Sequence, residues 1–369
     1  MAFGLSSKNR TSPIAVDFGS DALKVLQVDA GDATELVAAG AAVLPEEARG
    51  DHAARLAFLE ESLKTLLRSL PFRGRRAMLA IPGFQTLIHN FTMPRCDDED
   101  VDAMVDLQLQ ERLGVQAARM VTRNAKTADH HRGGSPRTDV ACLAAKRDLV
   151  MGYLQLAGRC RLEVVGMHPE PIALIRALGG GFAPDAAGPS QALARRGADA
   201  DAGPATMVLD YGHATSRVLI LQGERLRLAR TVHAGGLHLT RQHARATGAG
   251  LLEARSARLD EAAAGAEADL SACRVSDLLV EELKLSLRHH RARHPRGAVS
   301  RLLVCGGEAA CPNRLRHLGR ALELPVEAFD PLAGARAAAP AAALSGLDPA
   351  AASPGWAIPW GLCHSELNL

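Results

Sequence analysis

The sequence predicts an α/β protein of two related halves, and three observations carry that expectation. The stretch Ile14–Val28 reads as a β-hairpin: apolar runs at Ile14–Val16 and Leu23–Val28 flank a turn made of Asp17, Gly19, Ser20 and Asp21. Met207–Ile220 repeats the pattern nearly half a chain later. There an apolar run ends in Asp210, then come Gly212 and small or hydroxyl-bearing residues, then a second apolar run. Leu302–Ala310 adds an apolar strand that runs into Gly306-Gly307 ahead of a helix. The duplicated hairpin is the one internal echo in the sequence.

The 369 residues are enough for two domains with cores of their own. A formal net charge of +2 and only 3% aromatic residues argue against a dedicated nucleic-acid binder, which needs a basic face and stacking side chains. The seven cysteines are an odd number without a C-x-x-C pair. That favours buried thiols in a reducing compartment over disulfides or zinc. Met1–Ser12 lacks the apolar segment of a signal peptide, and no apolar run approaches the ~18 residues of a membrane span. The expectation is a cytoplasmic protein that meets a membrane only through a partner.

In chain order, Glu35–Leu44 completes a meander with the first hairpin, and Pro45–Asp51 is a loop. Leu56, Leu59, Leu63, Leu66, Leu67 and Leu70 fall at helical spacing, so His52–Leu70 is an amphipathic helix that ends at Pro71 and Gly74. Arg76–Ile81 and Thr86–Met93 are strands around Pro82-Gly83. The acidic run Asp97–Asp100 complements the dipole of a helix that continues through Gln110. Uninterrupted, it lacks the ligand spacing of a calcium loop. Ala118–Lys126 and Thr138–Ala145 are strands around a flexible tip, Ala128–Arg137, whose adjacent His130 and His131 read as solvated. Arg147–Gly158 is a helix, Leu162–Met167 a strand, and Pro169–Leu178 a helix with proline near its start. Gly179–Pro204 has little hydrophobic periodicity and reads as a linker. After the second hairpin, Arg225–Val232 continues the meander and His233–Gly236 is a turn. Leu237–Thr247, Leu251–Ala272 and Val275–His290 are helices. Ser300–Val304 is a strand, Pro312–Leu322 a helix and Val326–Ala328 a short edge strand. Ala333–Ala352 is Ala/Pro-rich low complexity, and apolar Trp356–Cys363 folds back as a helix onto the first half.

A turn that needs glycine exposes backbone N–H groups and can cradle phosphate, although Gly, Ser and Asp also serve any ordinary turn. Two such hairpins followed by a strand–Gly-Gly–helix are the grammar of the actin, sugar kinase and chaperone ATPase superfamily, where a nucleotide sits between two similar halves. In that architecture Asp17 and Asp210 face Mg²⁺ through its water shell. Ser20 adds a hydroxyl donor and Lys24 neutralises a phosphate. Gly235-Gly236 lie under the phosphate–ribose region, and Gly306-Gly307 let the backbone approach ribose or adenine with no Cβ in the way. Glu281, Glu282 and Lys284 share a helix; one or two reach the nucleotide sugar, or all three form a solvated face with local ion pairs. Hydrolysis needs a group that orients or deprotonates water. The strand–helix junction Gly166–Glu170 offers His168 and Glu170 for that role, and no Asp.

Further motifs stand in order along the chain: Asp17-Phe18-Gly19-Ser20 with Lys24, Ala80-Ile81-Pro82, Phe91-Thr92-Met93-Pro94, Pro169-Glu170-Pro171, Val208–Gly212, Gly235-Gly236, Glu282-Leu283, Gly306-Gly307 and Trp360-Gly361-Leu362. Together they resemble the type IV pilus assembly protein PilM family, actin-like proteins close to FtsA, over nearly the whole chain. The resemblance implies an actin-like (ribonuclease H-like) two-domain ATPase fold. Its first domain starts at residues 13–74, an FtsA-type subdomain is inserted at 75–165, and the chain returns at 166–180. A linker at 181–204 leads to a second domain at 205–332. A low-complexity linker at 333–352 and a C-terminal helix at 353–366 follow. The resemblance also implies ATP and Mg²⁺ as ligands, with Asp17, Gly19, Ser20, Lys24, Asp210, Gly212, Thr215, Gly306 and Gly307 as contacts, and at most slow ATP hydrolysis. It implies a place on the cytoplasmic face of the inner membrane. There a groove of the first half holds the short cytoplasmic N-terminal peptide of a bitopic partner, PilN in that family. Nucleotide and partner together bias a conformation that links the pilus motor ATPase to the envelope complex, and self-association stays open.

Four departures qualify the resemblance. His168 stands where the family has Asp, His213 is bulky for a phosphate hairpin, and Glu308 replaces a small residue after Gly306-Gly307. Leu113-Gly114-Val115 lacks the family's Ile-Pro. Two other functions stay open at this level. One is a small-molecule kinase on the same fold; the other is a degenerate adaptor without ATP, of the kind found in type II secretion.

Overall fold

The computed structural model describes residues 11–31, 35–179, 203–223, 225–263, 274–337, 344–347 and 352–365. The chain divides into two units. The first takes its described residues from Met1–Pro82, Met151–Phe182 and Asp330–Leu369, the second from Gly83–Val150 and Ala183–Phe329. Most of the expected linker at 181–204, part of the low-complexity stretch, Cys273 and the end of the expected helix Leu251–Ala272 lie outside the described residues.

The first unit is built on a mixed sheet. Strands β1 (Ile14–Phe18), β2 (Ala22–Val28) and β3 (Glu35–Val43) form an antiparallel meander, and β4 (Arg76–Ile81) runs parallel to β1. Every residue of β1 is buried, as a strand covered on both faces requires. The segment Pro45–Asp51 is not all loop. Helix α1 (Glu46–Gly50) buries Ala48, and its Arg49 pairs with Asp21 at 2.8 Å. In α2 (His52–Ser69) the Asp51 side chain caps Ala54 N, and Arg55, Leu59, Leu63 and Leu66 make the buried stripe.

The second unit contains two sheets. In the smaller one, β7 (Ser135–Lys146) lies between β5 (Thr86–Pro94) and β6 (Met120–Arg132), and α3 (Val101–Leu113) covers a core of Phe91, Met93, Val105, Leu109 and Val140. The β6–β7 hairpin is longer than its sequence suggests, because Gly133 and Gly134 (φ 58° and 80°) close it tightly. His130 is therefore not solvated: it is held 3.1 Å from Asp139, while His131 is exposed. From β7 the chain passes through α4 (Arg147–Arg159) back to the first unit, where β8 (Glu163–Pro169) pairs parallel with β4. Strand β4 thus belongs to the first sheet, with β1 and β8 on either side. The segment that leaves that sheet begins at Gly83, not at residue 75, and α4 and β8 bring the chain back before residue 165. Helix α5 (Glu170–Gly179) follows and is almost wholly buried.

The larger sheet of the second unit repeats the first unit's topology. Strands β9 (Ala205–Tyr211), β10 (Ser216–Gln222) and β11 (Arg225–Val232) form the meander. Helices α6 (Gly236–Thr247), α7 (Leu251–Ala263) and α8 (Arg274–Arg293) precede β12 (Val299–Cys305), which runs parallel to β9. After α9 (Pro312–Leu322), β13 (Val326–Ala328) adds to the edge. The strand order β3-β2-β1-β4-β8 reappears as β11-β10-β9-β12-β13. Met207, Leu209, Ile220, Leu283, Leu302 and Val304 fill the core beneath it. The smaller sheet is tied to β11 by Asn90 Nδ2 donating to Ala229 O at 3.1 Å.

Two short strands, β14 (Arg336–Ala337) and β15 (Leu344–Ser345), pair parallel with β3. The terminal helix α10 (Ala357–Cys363) packs on α5, β1, β2 and β4 within the first unit. A Cβ on Gly361 would stand 1.8 Å from Ala173 O, so only glycine allows this approach. The six described cysteines are free thiols, and burial pushes the Cys142 and Cys363 pKa values up to about 12. Among the described residues no cluster of His, Cys, Asp and Glu is composed to hold a metal.

Candidate functional site

The two hairpins match position by position. Asp17 pairs with Lys24 and Phe18 with Leu23; Asp210 pairs with Arg217 and Tyr211 with Ser216. A Cβ on Gly19 would meet Ala22 O at 2.8 Å, and one on Gly212 would meet Thr215 O at 2.6 Å. Both turns therefore need glycine at the same point for the same reason. The register makes Arg217 the counterpart of Lys24, a correspondence the sequence reading missed. Its signal was there: each cation follows its aspartate by 7 positions.

In the first unit, Asp17 is buried while Gly19 and Ser20 are half-exposed at the turn. Arg55 Nη2 donates to Phe18 O at 2.8 Å and Gly19 O at 2.7 Å, which ties α2 to the turn. Tyr153 stacks on Phe18 with ring centroids 4.7 Å apart. Burial raises the Tyr153 pKa, Arg55 opposes the rise, and the charge of Glu170 adds to it. Lys24 reaches the C-terminal segment of the same unit. Its Nζ donates to Gly355 O and lies 6.0 Å from the Trp356 ring centroid, holding the segment that leads into α10. Register places Asp17, Ala80 and His168 in one row across β1, β4 and β8. At the usual strand spacing the outer two are roughly 10 Å apart. His168 and Glu170 are both buried.

In the second unit, Asp210, Gly212, Thr215, Gly235, Gly236 and Gly306 converge, and so do three arginines. Asp210 Oδ2 accepts from Arg217 Nη1 at 2.7 Å, with the two side chains 8% and 7% exposed. The Arg217 guanidinium lies flat on Gly83, where a Cβ would be 1.9 Å away. Gly306 takes φ +90°, and a Cβ there would sit 2.5 Å from Tyr211 O and 2.6 Å from Asp210 Oδ1. Three backbone donors near the turn are engaged by the protein itself. Gly236 N donates to Gly212 O (3.0 Å), Leu237 N to His213 O (2.9 Å) and Glu308 N to Tyr211 O (3.1 Å). The Glu308 carboxylate accepts from Arg258 Nη1 at 2.6 Å, from Arg258 Nη2 at 2.8 Å and from Arg314 Nη1. Arg258 Nε reaches Thr240 Oγ1 at 3.2 Å. A Cβ on Gly236 would fall 2.1 Å from Glu308 Oε1. Gly307 faces open space. Glu282 does not join this group: it pairs with Arg230 at 2.8 Å, and Glu281 pairs with Lys284 at 3.2 Å. Only Glu281 and Lys284 form a local pair on the helix; Glu282 reaches across to β11.

The sequence profile of the family described as "Type IV pilus assembly protein PilM" matches residues 15–350. The chain belongs to this family. The fold of a solved "PilM-PilN type IV pilus biogenesis complex" superposes with a TM-score of 0.73 at 19% identity, covering 96% of this chain and 98% of that one. The ethanolamine utilization protein EutJ from Carboxydothermus hydrogenoformans superposes at 0.51 with 14% identity, covering 96% of this chain and 89% of that one. No protein of curated function matches the sequence. The actin-like fold expected from the duplicated hairpins is thus the fold of this PilM-family chain.

The family's expected ligand is Mg-ATP, and the second unit's residues do not fit it. Mg²⁺ retains its waters and needs an anionic carboxylate to face them. The Asp210 charge is instead neutralised by a buried guanidinium. Gly235-Gly236 are expected under the phosphate–ribose region, and against Gly236 the PilM-family chain places the Glu308 carboxylate.

Proposed function

We propose that this chain is a scaffold of type IV pilus assembly. Its task is to hold the short cytoplasmic segment of a bitopic inner-membrane protein of the PilN kind and so fix that partner's position. The observation that carries the reading is the family match across residues 15–350, supported by the whole-length likeness to the PilM-PilN complex. Attachment to the membrane comes through the partner in this reading. In agreement with that, no helix among the described residues is long and apolar enough to cross a membrane. Binding of an extended peptide needs an edge to pair with or a groove to enter, because main-chain hydrogen bonds supply affinity and alternate side chains supply specificity. No catalytic step is part of the proposal.

The test is a pull-down from solubilised inner membranes with the tagged full-length chain, followed by titration of the recovered protein's cytoplasmic peptide. Recovery of a bitopic protein whose isolated tail binds saturably supports the scaffold. A tail that does not bind, or capture of soluble proteins alone, refutes it.

A further inference from the structure

We infer that Glu308 is a built-in anion that fills an oxyanion site from within, so that the second unit takes no nucleoside triphosphate while Glu308 is in place. Three features of an anion site are present around it. Arg258 presents two N–H groups in a fork to the two carboxylate oxygens, and Arg314 adds a third donor. Such bidentate geometry suits carboxylate and phosphate oxygens alike. Gly236 opens the twelve-residue helix α6, whose N-terminal dipole favours negative charge, and Glu308 Oε1 abuts its Cα. The whole group is buried, with Glu308, Arg258 and Arg314 exposed by 6%, 7% and 7%. Desolvated charges of this kind persist only when paired and hydrogen-bonded, and here Glu308 is the pairing anion. Asp210 is matched in the same way by Arg217. Two arginines against one carboxylate leave the cluster one positive charge in excess. Removing Glu308 therefore leaves a phosphate-type anion site, lined by Arg258, Arg314 and the start of α6.

This inference concerns the second unit alone and is independent of which partner the chain holds; peptide binding can fail while it stands. Isothermal titration of the full-length chain with Mg-ATP and with inorganic pyrophosphate tests it. The wild-type chain gives no saturable binding to either at millimolar concentration. Glu308→Ser binds pyrophosphate saturably, at least about tenfold more tightly than the millimolar limit at which the wild type shows none, as one freed charge-assisted contact provides. Saturable Mg-ATP binding by the wild type overturns the inference. So does a folded Glu308→Ser chain that gains no pyrophosphate affinity. Should Glu308→Ser fail to fold, Glu308→Asn, one methylene shorter and uncharged, is read by the same criterion.

Discussion

Replacing Arg217 with Met tests whether Asp210 is a structural anion or an open metal carboxylate. Met fills much of the volume and removes the guanidinium. The size of the effect follows from burial. An exposed ion pair contributes about 0–1 kcal/mol, but these two side chains are only 7% and 8% exposed, with a 2.7 Å contact. Breaking one partner of such a pair strands the other charge and costs about 3–5 kcal/mol. The double variant Asp210→Asn/Arg217→Met removes both charges and recovers at least half of that loss, since the penalty belongs to the orphaned carboxylate. The molecule offers a convenient assay. Both tryptophans, Trp356 and Trp360, sit in the first unit, so tryptophan fluorescence in urea follows that unit, while far-UV circular dichroism follows the whole chain. Two units need not unfold together, and separate probes are the proper check. Arg217→Met is expected to move the circular dichroism transition to lower urea and to leave the fluorescence transition in place. A loss under about 1 kcal/mol refutes the reasoning. So does a double variant no better than the single one.

Two further outcomes follow from other sites. Gly361→Ala would set its Cβ 1.8 Å from Ala173 O, and α10 must retreat until that gap reaches at least 3.0 Å, which forfeits much of its packing and costs about 2–4 kcal/mol; here the tryptophan transition shifts, and an unchanged midpoint would contradict the close approach. Burial lowers the pKa of His290, whose Nε2 donates to Gly297 O at 2.7 Å, and burial likewise lowers those of His89, His238 and His289. With the folded values below the ordinary one near about 6.5, the unfolded chain takes up protons first as pH falls. Stability of the second unit is complete above that value and declines below it. Urea midpoints that rise between pH 7 and pH 5 would contradict this.

The sequence disclosed what is local. Turn chemistry at Gly19 and Gly212 depends on atoms three residues away, so both hairpins could be read directly. The leucine stripe of α2 was legible for the same reason, though its buried face also carries Arg55. Parallel pairing is not local. Nothing in Arg76–Ile81 says that its partners are β1 and β8, and by sequence alone the strand goes with the inserted segment. The cluster around Glu308 was equally hidden, because Arg258 stands 50 residues before the acid it binds. Arg217 is an intermediate case: invisible as a motif, it becomes legible once the hairpin register is fixed and the spacing from Asp17 to Lys24 is laid over the second copy.

This difference bears on how glycine motifs are used to infer ligands. Gly306 points to a nucleotide because a residue without Cβ lets backbone come close to ribose or adenine, Gly212 because its turn can cradle phosphate, and Gly235-Gly236 by their place under the phosphate–ribose region. In the folded chain each of them is required by the protein itself: Gly212 by Thr215 O, Gly235 by His213 O, Gly236 by Glu308 Oε1, and Gly306 by Tyr211 O. These four glycines are thus needed by the protein itself, while Gly307 faces open space, and the charged residues around them bear on a ligand. In the second unit those residues, Asp210 with Arg217 and Glu308 with Arg258 and Arg314, already bind one another.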